Sequence, residues 1–139
     1  MLLKTKEVKK LKLISVRELA NILKVTMSWV HDKIKNEIIK PEWVIKLPPQ
    51  SPTSPLRINY DNLVEAFPDI KIMNENEGAV LRVEDLAEVL SLKPKTVYLK
   101  VNQGVYPTFT LPSYKDRKVV RINRLALVKK FPELEQYFK

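Results

Sequence analysis

VRELANIL at residues 16–23 and VEDLAEVL at residues 83–90 read as two versions of one helix. Val, Leu, Ala and Leu recur at matching places 67 residues apart, spaced so that each set forms one apolar stripe. The same offset pairs Val30 with Val97, Lys33 with Lys100 and Ile34 with Val101. A second block follows, LRINYDNLVEAFP at 56–68 against VRINRLALVKKFP at 120–132. There Arg57, Ile58, Asn59, Leu63, Val64, Phe67 and Pro68 meet identical residues at offset 64, which places a three-residue length difference in a loop between the blocks. Two blocks in one order point to duplication. The expected organisation is a basic segment at 1–12, a first module at 13–70, a linker at 71–79 and a second module at 80–139. The linker, KIMNENEGA, is polar and holds one of only two glycines.

Within the second copy, Val83, Leu86, Ala87, Val89 and Leu90 face one way, and Glu84 and Asp85 sit in the first turn, where the helix dipole favours acid. Ser91 and Leu92 break the helix. Pro94 suits the first turn of the next one, which turns Val97 and Val101 inward and ends at Gly104. The first copy repeats this with a helix from Val16 to Lys24, a break at Val25 and Thr26, and a second helix carrying Val30 and Ile34. Pro41 or Pro107 then leads into WVIKLP or TFTLP, a polar tip, and LRIN or VVRIN, which reads as a β-hairpin. Asn59 and Asn123 stand where N-caps belong, ahead of last helices carrying Leu63, Val64 and Phe67, or Leu127, Val128 and Phe131. The expected fold is α+β and mainly helical, with the order helix, turn, helix, hairpin, helix occurring twice.

The 25 Lys and Arg outnumber 16 Asp and Glu, for a net charge of +9, so polyanions are favoured partners, nucleic acid ahead of an anionic membrane surface. Absence of cysteine excludes disulfides and thiolate chemistry. No apolar run suits a signal peptide or a membrane span, so a cytoplasmic protein is expected, nucleoid-associated if it binds DNA. His31 is the only histidine, and there is no Gly-rich phosphate loop or metal-ligand spacing, so neither catalysis nor a cofactor or metal is expected.

The pattern V-x-[DE]-L-A-x-x-L, a short turn, a second helix containing Thr96-Val97-Tyr98, and a hairpin ending Arg-Ile-Asn before a Leu-containing helix resembles the winged helix-turn-helix modules of the MerR and phage-excisionase superfamily. The resemblance covers nearly the whole chain, twice. It implies that the second helix of each module enters the major groove while the hairpin wing lies along the backbone or minor groove. The second copy fits better, because Glu37 replaces the glycine that follows the recognition helix and Trp29 stands where the second copy has Thr96.

Removing core positions from the second helices leaves Lys93, Lys95, Thr96, Tyr98, Lys100, Asn102 and Gln103 in one copy. In the other it leaves Thr26, Ser28, Trp29, His31, Asp32, Lys33 and Lys35. These mix phosphate neutralisers with groups that bond to bases, although each could be part of a solvated face and Trp29 could pack on the hairpin or on the other module. The second wing tip, SYKDRK, offers Lys115, Arg117 and Lys118, whereas the first, PPQSPTSP, has no charge and is better suited to structure or protein contact. Residues 92–124 hold eight basic and one acidic residue, net +7, against six and three, net +3, over 24–59. The second module should therefore supply most of the electrostatic affinity. Arg57 and Arg121 suit either a phosphate contact or an ion pair, and the lysines of 1–12 either a backbone-binding arm or a solvated terminus.

The reading is a sequence-specific binder of double-stranded DNA, either a transcriptional regulator or an excisionase-like architectural factor, acting as monomer or homodimer. The eleven residues from Asp69 to Ala79 could extend about 37 Å, enough to set two helices one DNA turn apart. Its rivals are an adaptor whose first module binds a protein, a binder of RNA or general polyanions, and an assembly protein whose modules only pack together.

Overall fold

Ser15 ends strand β1 (Leu13–Ser15) and opens helix α1 (Val16–Leu23). Its hydroxyl accepts the Glu18 N–H at 3.0 Å while the Glu18 carboxylate accepts the Ser15 N–H at 2.8 Å, a reciprocal cap that satisfies two otherwise orphan donors. Leu19, Ala20 and Leu23 bury one side of α1. Lys24 then turns left-handed at φ 56°, and the Val25 N–H closes onto the Ala20 carbonyl at 2.9 Å, which stops the helix. Thr26 starts α2 (Met27–Lys35) by accepting the Trp29 N–H at 3.1 Å. A 3-10 turn at Pro41–Trp43 feeds β2 (Val44–Lys46), which pairs antiparallel with β3 (Leu56–Asn59); β1 lies on the other edge of β3, giving the order β1-β3-β2. Asn59 caps α3 (Tyr60–Ala66), and α4 (Asp69–Glu75) closes the first half.

The computed structural model describes residues 12–46, 55–112 and 119–138. In the second half a 3-10 turn, Glu77–Ala79, leads to β4 (Val80–Arg82), α5 (Val83–Leu90), α6 (Pro94–Asn102), β5 (Arg121–Asn123), α7 (Arg124–Lys130) and a closing 3-10 segment, Pro132–Phe138. β4 and β5 pair antiparallel. The chain is thus α+β and mainly helical, with small antiparallel sheets.

The two halves match in detail as well as in order. Lys24 and Ser91, 67 residues apart, are both left-handed at φ 56° and 53°, and Glu37 and Gly104 are so at φ 61° and 76°. Asn59 and Asn123 each accept an N–H three residues on at 3.0 Å. Phe67 and Phe131 each donate to the leucine carbonyl four residues back at 2.8 Å.

Three features depart from the sequence reading. β1 and β4 are added strands, each three residues long, too short for a visible alternation. The TFTLP segment keeps only a single bridge, Thr108 to Ile122, with the Phe109 N–H on the Arg121 carbonyl at 2.8 Å. Most consequential, the segment read as an extendable linker is largely helical. Ile70 and Met73 on α4 are buried in the first core, so the apolar residues among its polar ones do packing work.

That first core is completed from the second half. Ala79, Val80, Phe109 and Leu111 join the cluster around Leu19, Leu23 and Leu63, each large side chain contributing roughly 1.5–3 kcal/mol by burial. Polar contacts tie the same seam: Lys24 Nζ to the Val80 carbonyl at 2.9 Å, the Thr110 N–H to Asp69 Oδ2 at 2.7 Å, and Arg121, whose Nε donates to the Leu23 carbonyl at 2.8 Å and whose Nη2 donates to that of Lys24. A second, smaller core gathers Val83, Leu86, Val97, Ile122 and Leu127. Among the described residues no helix is long and apolar enough to cross a membrane.

Candidate nucleic-acid interface

Helix α6 is held by one face. Val97 is fully buried and Val101 packs against the second core, which fixes the rotation of the helix about its axis. The opposite face then carries Lys95, Leu99 and Asn102, all exposed and spaced four and three residues apart, so they line up along one side. Lys93 precedes this row at the N-cap, exposed and making no side-chain cap. Thr96 and Tyr98 flank it half-buried, and with Lys95, Leu99 and Asn102 they enclose a shallow groove of about 380 Å³. Lys100 is half-buried, its carbonyl accepting the Val105 N–H at 2.9 Å, and Gln103 is exposed past the helix end.

Leu99 escaped the sequence reading, which set apolar residues aside as core. It is 53% exposed, because it lies two residues from both Val97 and Val101, on the far side of a 3.6-residue turn. That spacing was the available signal. Such a residue offers apolar contact of the kind that a thymine methyl provides.

Helix α2 presents different chemistry at the same positions. Ser28, Asp32 and Lys35, exposed, stand where α6 has Lys95, Leu99 and Asn102. Three residues expected on its outer face are used for structure instead. The Thr26 hydroxyl caps the helix, and Trp29 is half-buried against the first core. Lys33 is only 8% exposed, its ammonium 3.4 Å from Asp32 Oδ2 and 4.8 Å from the Trp29 ring centre. Its methylene stem is buried while the charge is matched by acid and indole.

Arg57 and Arg121 occupy equivalent strand positions and behave differently. The Arg57 guanidinium bonds to the Leu56 carbonyl at 2.8 Å and, with Arg17, Met27 and His31, lines a cleft of about 470 Å³ beside the start of α1. Arg121 crosses the seam. Its Nε and Nη2 donate to the carbonyls of Leu23 and Lys24, capping the C-terminal end of α1 where the helix dipole is negative. Burial, assisted by the nearby Arg82, holds its pKa below the usual arginine value. An arginine so placed is an internal pin, and the ion pair that seemed its alternative is replaced by two carbonyls.

Arg82 pairs with Asp85 at 3.2 Å at the start of α5. Burial alone would raise the Asp85 carboxyl, but hydrogen bonds from the Arg82 side chain and backbone outweigh it and hold the pKa below the usual value. The wing-tip candidates Lys115, Arg117 and Lys118 lie outside the described residues. Among the described residues no group of three His, Asp or Glu is placed to hold a metal ion. Comparisons of the chain with protein-family models, with curated proteins and with solved structures find no match.

Proposed function

We propose that the protein is a sequence-specific binder of double-stranded DNA built from two tandem winged helix-turn-helix modules, similar to those of MerR and excisionase proteins. It serves as a transcriptional regulator or as an architectural factor of a mobile element. The observation that carries this reading is the outer face of α6, a short helix that follows a tight turn and exposes Lys95, Leu99 and Asn102 in one row. A lysine at the N-terminal turn supplies phosphate attraction, an asparagine can bond bidentately to adenine, and a leucine suits a thymine methyl. The charge of residues 92–124, eight basic against one acidic, supports the same assignment. In α2 an aspartate takes the central place, which opposes phosphate approach, so the second module leads and the first adds a weaker, different contact. The site is then asymmetric.

The test is selection from a random duplex library at about 150 mM salt. The wild type should recover a defined motif. Lys95→Ala should weaken binding to all sequences alike and flatten the salt dependence, whereas Asn102→Ala should relax preference at one base pair by about 1–3 kcal/mol. Recovery of random sequence would overturn the reading.

One observation favours a second reading, an adaptor whose first module docks a protein. The cleft beside α1 has Met27 and Pro55 exposed at its edge and Leu56 half-buried within it, a more apolar lining than a phosphate contact needs. Met27→Glu separates the two: under the adaptor reading it abolishes capture of such a partner and leaves duplex binding unchanged, whereas a DNA-reading α2 loses duplex affinity to the added negative charge at its first turn.

A further inference from the structure

The seam between the halves is made of two faces, and each half of a duplicated chain owns a copy of both. The first half contributes a socket: the end of α1 with Ile22, Leu23 and Lys24, and the apolar side of α4. The second half contributes a plug: Val80 on β4, Phe109 on the hairpin arm, and Arg121 on β5. Transferring the socket by its offsets of 67 and 64 gives Val89, Leu90 and Ser91 at the end of α5, with Leu134 and Tyr137 in the closing 3-10 segment. Transferring the plug gives Leu13 on β1, Ile45 on β2 and Arg57 on β3. The hairpin pairs place Val44 opposite Ile58 and Thr108 opposite Ile122, so Ile45 corresponds to Phe109.

Both transferred faces lie open. Val89, Leu90, Ser91 and Tyr137 line a groove of about 350 Å³, and Leu90 and Leu134 also line an adjoining one of about 260 Å³. Tyr137 is 56% exposed where its counterpart Met73 is 1% exposed. Leu13 is 37% exposed where its counterpart Val80 is 1% exposed. Among the described residues no side chain caps the carbonyls of Leu90 and Ser91, the counterparts of those that Arg121 holds. Charge also fits. Asp69 receives Thr110 across the internal seam, and at the open faces the corresponding residues are Glu133 and Lys46, both exposed.

We propose that the open socket of the second half receives the open plug of a second copy, so that chains associate head to tail through a repeat of their own internal seam. Arg57 then takes the carbonyls of Leu90 and Ser91, and Leu13 and Ile45 cover Leu90 and Tyr137. The contact is heterologous: a joined pair still has one plug and one socket free, and growth continues instead of closing at a dimer. It requires no nucleic acid and stands apart from the DNA-binding reading. Repulsion between copies of charge +9 makes it weak at low ionic strength and stronger as salt screens that charge.

Sedimentation of the purified chain without nucleic acid, up to about 1 mM, tests this. The weight-average mass should rise with concentration past that of a dimer. Tyr137→Glu, which spoils the socket, and Leu13→Glu, which spoils the plug, should each weaken association at least about tenfold, with melting temperatures unchanged because both side chains are exposed. An equimolar mixture of the two variants should associate again and stop at the dimer, since one intact plug and one intact socket remain. As an independent pair, Glu133→Lys should weaken association and Lys46→Glu in the same chain should restore it. A wild type that stays monomeric throughout overturns the proposal, as does a closed dimer or a mixture of variants that does not recover.

Discussion

Leu23 and Leu90 sit at the same place in two copies of one helix, yet Leu23 is sealed and Leu90 is half-exposed. Ile70 and Leu134 differ in the same way, as do Met73 and Tyr137. The first half is finished by the second, while among the described residues nothing finishes the second in the same way. Equivalent residues have therefore acquired different tasks, clearest in Arg121, which pins the seam, and Arg57, which lines an open cleft. A similar division separates the proposed DNA-reading helices. α6 exposes lysine, leucine and asparagine where α2 exposes serine, aspartate and lysine. Duplication supplied two of everything, and burial decided which copy stayed available for binding.

The largest effect should come from cutting the seam. Phe109→Ala should cost about 3 kcal/mol, and because both tryptophans, Trp29 and Trp43, lie in the first half, their fluorescence should report a melt lowered by a change made in the second. A tryptophan transition that does not move would mean the halves are energetically independent. Next comes the arginine pair. Arg121→Ala should destabilise by about 2 kcal/mol in urea unfolding, against less than about 0.5 kcal/mol for Arg57→Ala in dilute solution. Equal effects would show that capping α1 across the seam contributes nothing.

The left-handed pair gives a smaller contrast of opposite sign. Gly104→Ala should cost about 1 kcal/mol through backbone strain alone, since an added Cβ there meets nothing within 4 Å. Glu37→Gly, at φ 61°, should instead gain about 0.5 kcal/mol. Smallest is a pH effect confined to the second half. The Asp85 carboxyl is depressed in the folded state, so its stabilisation is present above the ordinary carboxylate pKa of about 4 and is lost as pH falls through the folded value. Thermal melts should show the wild type losing more stability than Asp85→Asn between about pH 5 and pH 2; parallel losses would remove Asp85 from the acid response.

The sequence was informative wherever structure depends on local pattern. The stripes of α1 and α5, the asparagine caps of α3 and α7 and the β3 strand are all set by spacing and by residues that bond to their own backbone. Helix α4 was hidden by its polar composition, although Pro68-Asp69-Ile70 repeats as Pro132-Glu133-Leu134 and carries the duplication past the end of the matched block at 68 into the start of α4. The roles of Arg121, Lys33 and Trp29 were illegible for a different reason. Each depends on which surface packs against which, and a single sequence with no partner shown does not carry that information. Exposure of Leu99 was readable from helical geometry and was lost only by treating hydrophobic as synonymous with interior.

The contact from Arg121 to Leu23 joins residues 98 positions apart. On the ribosome the first half emerges while Phe109, Leu111 and Arg121 are still to be translated, so α1 and α4 have no lid until those residues follow. Folding of the first half is therefore coupled to synthesis of the second, and a nascent form lacking the second half displays the same sticky surface that the two halves together conceal.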